Sequence, residues 1–270
     1  MKLSNIFSHR NRALLRELVA TEFKLRYQGS ALGFLWSLVR PLFLFGILLI
    51  VFGFILKISS NIEHYPVYLL LGIVLWSFFV EATNNGLQSI VGRGDLIRKI
   101  NFPKYIIVIS GTISALINLG IILIVVFIFM LASGVELRPI ALLFPIIVLE
   151  LYVFSLALAF FLAALYVKYR DITYMWELGL QAAFYATPIL YPMSLVTDYS
   201  LMLGKLLLLN PMAQIVQDAR NMLITPQTDT LSKLVDNQLY TVIPMLIVAV
   251  TIVAATIYFR NNSKNFAEEV

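Results

Sequence analysis

The chain has 270 residues, of which 60% are hydrophobic and only 13% charged, whereas a soluble domain carries roughly one-quarter charged residues and could not hide so much apolar surface. The net charge of +5 and the pI near 9.3 do not point to nucleic acid, because the Lys and Arg residues stand at the ends of apolar runs and form no continuous stripe. The lack of cysteine excludes disulfides and thiol ligands. No cleavable signal peptide is expected in the first thirty residues, which have no uninterrupted apolar core.

In chain order, the first element is amphipathic. Asn11 to Tyr27 sets Leu14, Leu15, Leu18, Val19 and Phe23 on one helical face, with Arg12, Arg16, Lys24 and Arg26 as polar partners. The pattern suits a helix over residues 11–30 lying in the cytosolic interface, or an ordinary cytosolic helix. Gly29 and Gly33 then bend the chain into the first span, although their spacing also suits close helix contact. Six apolar stretches follow that are long enough for a hydrocarbon core of roughly 30 Å. They run Leu38 to Ile58, Tyr65 to Ala82, Tyr105 to Ser133, Pro139 to Val167, Leu178 to Leu195 and Leu239 to Phe259.

Two connections have a shape of their own. Residues 92–104 form the largest cytosolic loop, with two glycines, a short charged helix and Pro103 to launch the next span. Residues 193–238 face outside and hold two apolar pieces, Leu201 to Leu209 and Met212 to Leu223, hinged at Asn210-Pro211. Each is too short to cross, so both read as re-entrant or interfacial helices. Orientation follows from the basic residues. With the N-terminus inside, seven lie from Lys2 to Arg40, four from Arg93 to Lys104, two at Lys168 and Arg170 and two in the C-terminal tail, fifteen against five on the outer side. The expected fold is therefore an all-α integral membrane protein of one domain, residues 1–270, with both termini cytosolic.

Reactive clusters are missing from the sequence. His9 and His64 fall on opposite sides of the membrane, no Gly-x4-Gly-Lys-Ser/Thr loop cradles a nucleotide, and the Glu268-Glu269 pair belongs to a tail expected to be solvated. Neither a metal nor a nucleotide is expected on this chain, so uphill transport must draw on an ion gradient or on another subunit. Carriers driven by gradients show intramembrane ionisable residues and internal repeats. Here only Glu150 lies deep in a span, with Glu81 near a cytosolic end, and the halves do not repeat. Two readings of Glu150 stay open: a functional carboxylate, or a neutral or hydrogen-bonded group at a subunit contact.

Residues Lys24 to Leu42 read KLRYQGSALGFLWSLVRPL, and Asn101-Phe102-Pro103, Lys168 to Ile172, Thr187 to Pro192 and Leu209 to Met212 follow in order. This set resembles the permease subunit of type-2 ATP-binding-cassette exporters, in the branch that exports O-antigen, teichoic acid and capsular polysaccharides. One departure is Thr21-Glu22, where many relatives carry Arg-Asp; the negative charge is kept and the arginine lost. The resemblance implies a homodimer in the bacterial inner membrane, surrounded by lipid, that moves a lipid-linked polysaccharide between its two copies. Each copy would bind an ATPase subunit that uses ATP and Mg.

The resemblance also makes Gly92 to Ile100 a coupling helix. Arg93, Asp95, Arg98 and Lys99 would fix its orientation while Leu96 and Ile97 pack into a groove of the ATPase; the plain alternative is a solvated loop. Arg170 and Asp171 diverge on a helix and would take separate partners at the cytosolic end of the fifth span. The pieces around Asn210 and Pro211 become an outer gate. Trp36, Phe43, Phe45, Tyr152, Phe184, Tyr185 and Tyr191 offer flat apolar surfaces on which sugar rings can slide, or they are ordinary membrane-interface and lipid-facing aromatics. Two further functions compatible with the residues are a type-2 permease for drugs or small lipids and a membrane enzyme acting on lipid-linked sugars.

Overall fold

The computed structural model describes residues 9–27, 33, 35–58, 62–99, 102–235 and 238–269. Among them every regular element is helical. Helix α1, His9–Tyr27, is followed by Gly33 in a turn with φ 47°, a backbone conformation that glycine enters without cost. Gly29 and residues 28–30 lie outside the described residues. The first span, α2, begins at Leu35, carries Pro41 inside it and passes into π-helix over Leu49–Ile55. It starts three residues earlier than the sequence predicts and stops before Lys57, whose φ of 52° turns the chain.

Helix α3, Tyr65–Ser89, is the hub of the bundle and packs most extensively on α5, Tyr105–Ala132, and α6, Phe144–Lys168. Among the described residues it is the least apolar of the five helices long and apolar enough to cross a membrane, with a mean hydropathy of 1.7 against 2.5 to 3.0. It is also the most enclosed, since 78% of its apolar window is buried against 11% to 44% in the others. The inversion has a physical reason. A helix surrounded by protein can carry polar groups because neighbouring helices satisfy them, whereas a lipid-facing one cannot.

Accordingly Asn118 on α5 donates to Glu81 at 2.8 Å, Asn85 donates to the Gly111 carbonyl at 3.1 Å, and Thr83 donates to the Phe79 carbonyl at 2.8 Å. These internal partners let α3 run seven residues past the predicted end at Ala82. Gly86 brings α3 against α6 so closely that a Cβ there would meet the Ala159 Cβ and stand 2.8 Å from its Cα. Gly86→Val is expected to cost about 1–3 kcal/mol by forcing the helices apart, read as a lower unfolding midpoint of the purified chain in detergent. An unchanged midpoint would show that the two helices slide freely there.

After the 3-10 turn Val91–Arg93 comes the short α4, Gly94–Lys99. Helix α5 matches its predicted start, the fourth span starts at Pro139 as predicted but with a 3-10 turn, Pro139–Leu143, before α6, and both end within a residue of the prediction. The fifth expected span does not form one helix from Leu178 to Leu195. Helix α7 runs Ile172–Ala186, and the chain then breaks at Thr187-Pro188 before α8, Ser194–Tyr199. Pro188 disfavours helix at the residue before it, and Thr187 is extended with ψ 135°. Helices α9, Leu201–Leu208, and α10, Pro211–Leu223, meet at Asn210-Pro211, where the Asn210 side chain caps α10 by accepting from the Met212 amide at 3.0 Å. The chain closes with α11, Leu231–Leu234, the last span, α12, Val242–Asn262, and α13, Phe266–Glu269.

Candidate functional site

Two polar constellations stand at opposite ends of the bundle. At the first, α4 is held to its own chain from three sides. Arg93 Nη2 lies 3.4 Å from Glu22 Oε1 on α1, and Arg93 Nη1 donates to Ser110 Oγ on α5 at 3.2 Å. The acidic residue at the departing Thr21-Glu22 position is thus the tie between α1 and the loop. The two side chains are about four-fifths buried, and because desolvation offsets part of the stronger attraction the pair contributes about 1 kcal/mol, the upper end of the range for exposed pairs. A double-mutant cycle of Glu22→Gln and Arg93→Ala is expected to give a coupling energy of that size in unfolding midpoints; additive losses would mean that the contact is incidental.

The third side is the C-terminus. Helix α13 packs on α4, with Phe266 fully buried and edge-on to Phe259 at 5.3 Å. Lys104 donates to the Ser263 carbonyl at 2.6 Å and lies 5.7 Å from the Phe266 ring centroid, and burial pushes its amine below the usual lysine range. The tail is therefore docked, although Glu268 and Glu269 themselves are exposed. Ile97 requires a correction: it is buried in its own chain, in a cluster with Leu18, Ile90, Phe102 and Phe266, so it anchors α4 and does not enter a partner. The half-buried Leu96 and the exposed Asp95, Arg98 and Lys99 remain on the outward side, Arg98 and Asp95 paired at 3.1 Å. Ile100 and Asn101 lie outside the described residues.

The second constellation centres on Arg220 of α10, which has no exposed surface. Its Nε donates to the Tyr68 carbonyl at 3.0 Å, Nη1 to that of Pro188 at 2.5 Å and Nη2 to that of Ile189 at 2.7 Å. The guanidinium also lies 3.6 Å from the centroid of the Tyr68 ring. The fork thus satisfies carbonyls freed where α7 breaks and ties them to the first turn of α3. Gly72 makes room, since a Cβ there would meet Nη2 and come within 3.2 Å of Cζ.

Around it, Tyr65 donates to the Leu190 carbonyl at 3.1 Å, Tyr68 donates to Gln217 Oε1 at 3.3 Å, and Arg138 donates to the Asn221 and Met222 carbonyls at the end of α10. A basic group there complements the negative end of the helix dipole. Among the described residues no group of three or more His, Asp and Glu is placed to hold a metal.

Residues 13–224 match the ABC-2 type transporter family. The chain belongs to that family. This ABC-2 transporter chain is 30% identical to the O-antigen export system permease protein RfbA of Myxococcus xanthus over 262 residues, 96% of each chain. It is 27% identical to the protein of the same name from Klebsiella pneumoniae over 211 residues, 77% of this chain and 79% of the relative. It is a multi-pass membrane protein.

The remaining expected residues of the ABC-2 transporter chain fall in different settings. Trp36, Phe43 and Tyr185 are exposed. Tyr152, Phe184 and Tyr191 are half-buried, Tyr152 with its hydroxyl 3.3 Å from that of Thr112, Phe184 packed 5.8 Å from Trp76, and Tyr191 donating to the Tyr185 carbonyl at 3.2 Å. Phe45 is corrected to a core residue: it is buried and edge-on to Phe129 at 6.0 Å, which removes it from any path. Arg170 lies over the Tyr166 ring at 5.2 Å, and Asp171 precedes α7 without capping it through its side chain.

Glu150 is half-buried and faces Gln214 and Asp218 of α10, and Gln214 in turn donates to Asp218. The sequence reading missed Arg220, counting it only as an outer-loop cation. A signal was present: Met212, Ile215, Val216, Ala219 and Leu223 mark the buried stripe of α10, and Arg220 falls within it, four residues after Val216.

Proposed function

We propose that this chain is the permease subunit of an ATP-driven exporter that carries a lipid-linked polysaccharide of the O-antigen type from the cytosol across the bacterial inner membrane, both termini facing the cytosol. The observation that carries the reading is the 30% identity to an O-antigen export permease along 96% of both chains. In this reading ATP and Mg belong to a separate ATPase, which the lack of a Gly-x4-Gly-Lys-Ser/Thr loop in the sequence supports, and the exposed Asp95, Arg98 and Lys99 of α4 are where it docks. ATP-driven closure of that partner then acts as a lever on α3 and α5, which α4 joins.

Six crossings follow if α7 and the segment after its break act together. Fifteen residues of helix reach about 22 Å, short of a hydrocarbon core of roughly 30 Å. Broken backbone is tolerated at that depth only where protein satisfies it, and Arg220 does so for Pro188 and Ile189. Two copies enclose the path; exposed Trp36 and Phe43 on α2 and Tyr185 on α7 offer faces on which sugar rings slide. Helices α9 and α10, joined at Asn210-Pro211, form the outer gate.

The test is uptake of lipid-linked O-antigen by inverted vesicles containing this chain and its ATPase. The expected result is ATP-dependent uptake lost on omitting either subunit; ATP-independent uptake, or none, would overturn the reading. In right-side-out vesicles loaded with nucleotide, Cys at Leu206 and Asn210 is expected to change its rate of labelling from outside when the ATPase is trapped. Identical rates in every state would reduce α9 and α10 to a static outer cover.

A further inference from the structure

An open groove of about 660 Å³ runs between α1 and α5, inside the range of roughly 300–1,000 Å³ typical of small-molecule sites. Its walls come from Leu15, Val19, Ala20 and Phe23 of α1 and Ile113 and Ile117 of α5, and the exposed Arg12, Arg16 and Lys24 border it with their alkyl stems, their charged ends at the rim. Arg12, Arg16, Ala20 and Lys24 repeat every four residues, which puts three cations in one row along α1. Among the described residues no carboxylate lines the groove, and the nearby Glu22 is engaged by Arg93. Ile113 and Ile117 lie about 12 and 18 Å along α5 from its first residue, so the apolar wall leads from the start of the span toward the hydrocarbon.

A basic rim beside an apolar slot complements a ligand with an anionic head and a long apolar tail, the chemistry by which basic pockets between helices select acidic lipids. We propose that this groove is a binding site for an anionic phospholipid of the leaflet in which α1 lies, its phosphate at Arg16 and Lys24 and an acyl chain along Val19, Phe23, Ile113 and Ile117. The lipid completes the contact between α1 and α5. Because Glu22 on α1 also holds Arg93, occupancy of the groove bears on where α4 is presented. The site is independent of which polymer is moved.

The experiment is native mass spectrometry of the full chain in mild detergent, titrated with phosphatidylglycerol, with phosphatidylcholine of the same chain length and with inorganic phosphate. The wild-type chain is expected to retain phosphatidylglycerol in preference to phosphatidylcholine. Replacing Arg16 and Lys24 together by Ala is expected to cut that preference by about fivefold per cation, roughly thirtyfold in all. Phosphatidylcholine adducts that stay unchanged in this variant show that the chain is still folded, and Arg16→Lys with Lys24→Arg restores the preference. Ile117→Trp, which fills the slot, is expected to reduce retention of both lipids.

Equal retention of the two lipids by the wild-type chain would overturn the proposal, as would phosphatidylglycerol retention indifferent to the Ala variants. Displacement of the lipid by millimolar inorganic phosphate would make the site a bare phosphate site and overturn it too. Efficient disulfide formation between two copies carrying Ala20→Cys would assign the groove to a second copy of the chain instead.

Discussion

Replacing Arg220 by Met is expected to lower the unfolding midpoint of the chain more than any other single change named above. The substitution keeps the buried volume but strips the partner from two enclosed carbonyls, those of Pro188 and Ile189, and removes the extra bond to the Tyr68 carbonyl, which also accepts within α3. Each unsatisfied buried acceptor costs about 1–3 kcal/mol, so two of them cost about 2 kcal/mol at least. Arg220→Lys keeps the charge but replaces a planar fork by a single point of donation. It cannot reach carbonyls on two elements at once, and a midpoint between those of wild type and Met is expected.

Gly72→Ala attacks the same lock from the other side, because the new methyl falls where Nη2 lies. If the lock is one unit, combining Gly72→Ala with Arg220→Met adds little to the Met variant alone, and a double-mutant cycle measures that shortfall directly. Full additivity would mean that the guanidinium and α3 do not act together. The change is also expected to reach function: with the break after α7 no longer tied to α10, nucleotide-dependent labelling at Leu206 and Asn210 should be lost before the protein itself unfolds.

Reversing the charges of Arg98 and Lys99 to Glu is expected to reduce ATP-driven export by at least about tenfold while leaving the unfolding midpoint nearly unchanged. Both side chains are exposed, and among the described residues Arg98 bonds to Asp95 one turn away, so little intramolecular stability depends on them. Against a partner the same two charges are decisive, since placing like charges opposite one another costs several kcal/mol at an interface and each 1.4 kcal/mol is a factor of ten. Co-purification of the ATPase should weaken in parallel with export. Ile97→Ala provides the contrast. It loses stability first, because Ile97 is packed inside its own chain. Retained export and retained ATPase in the doubly reversed variant would place the docking surface elsewhere.

The elements differ in how far the amino-acid order alone determines them. Composition and run lengths suffice for an all-helical membrane protein, and the starts of the second, third and fourth spans sit at prolines or at the first apolar residue after a charged turn, where local chemistry decides. The corner at Asn210-Pro211 was legible for the same reason: a proline removes a donor, constrains its predecessor, and leaves Asn to cap the next helix. The motif set from Lys24 to Met212 carried the family.

What remained hidden follows from the solvent. Lipid tails are as apolar as a protein core, so a run of Leu, Ile and Phe does not reveal which of its faces meets protein. Phe45 and Phe43, two residues apart, therefore read alike, although one packs on Phe129 and the other is exposed. The same blindness cut α3 short at its first polar residues, since it is the packing of α5 that provides partners for Glu81 and Asn85.

The C-terminal turn on α4, the inward side of Ile97 and the Arg220 lock all join residues far apart in the chain, the lock bridging α3, the break after α7 and α10. Whether a buried cation is tolerated there depends on carbonyls that become available only once a helix elsewhere has broken. Local sequence determined where the helices start and turn. Tertiary structure alone decided which polar groups find one another, because in a low-dielectric interior a polar group is stable only beside a partner that the rest of the fold delivers.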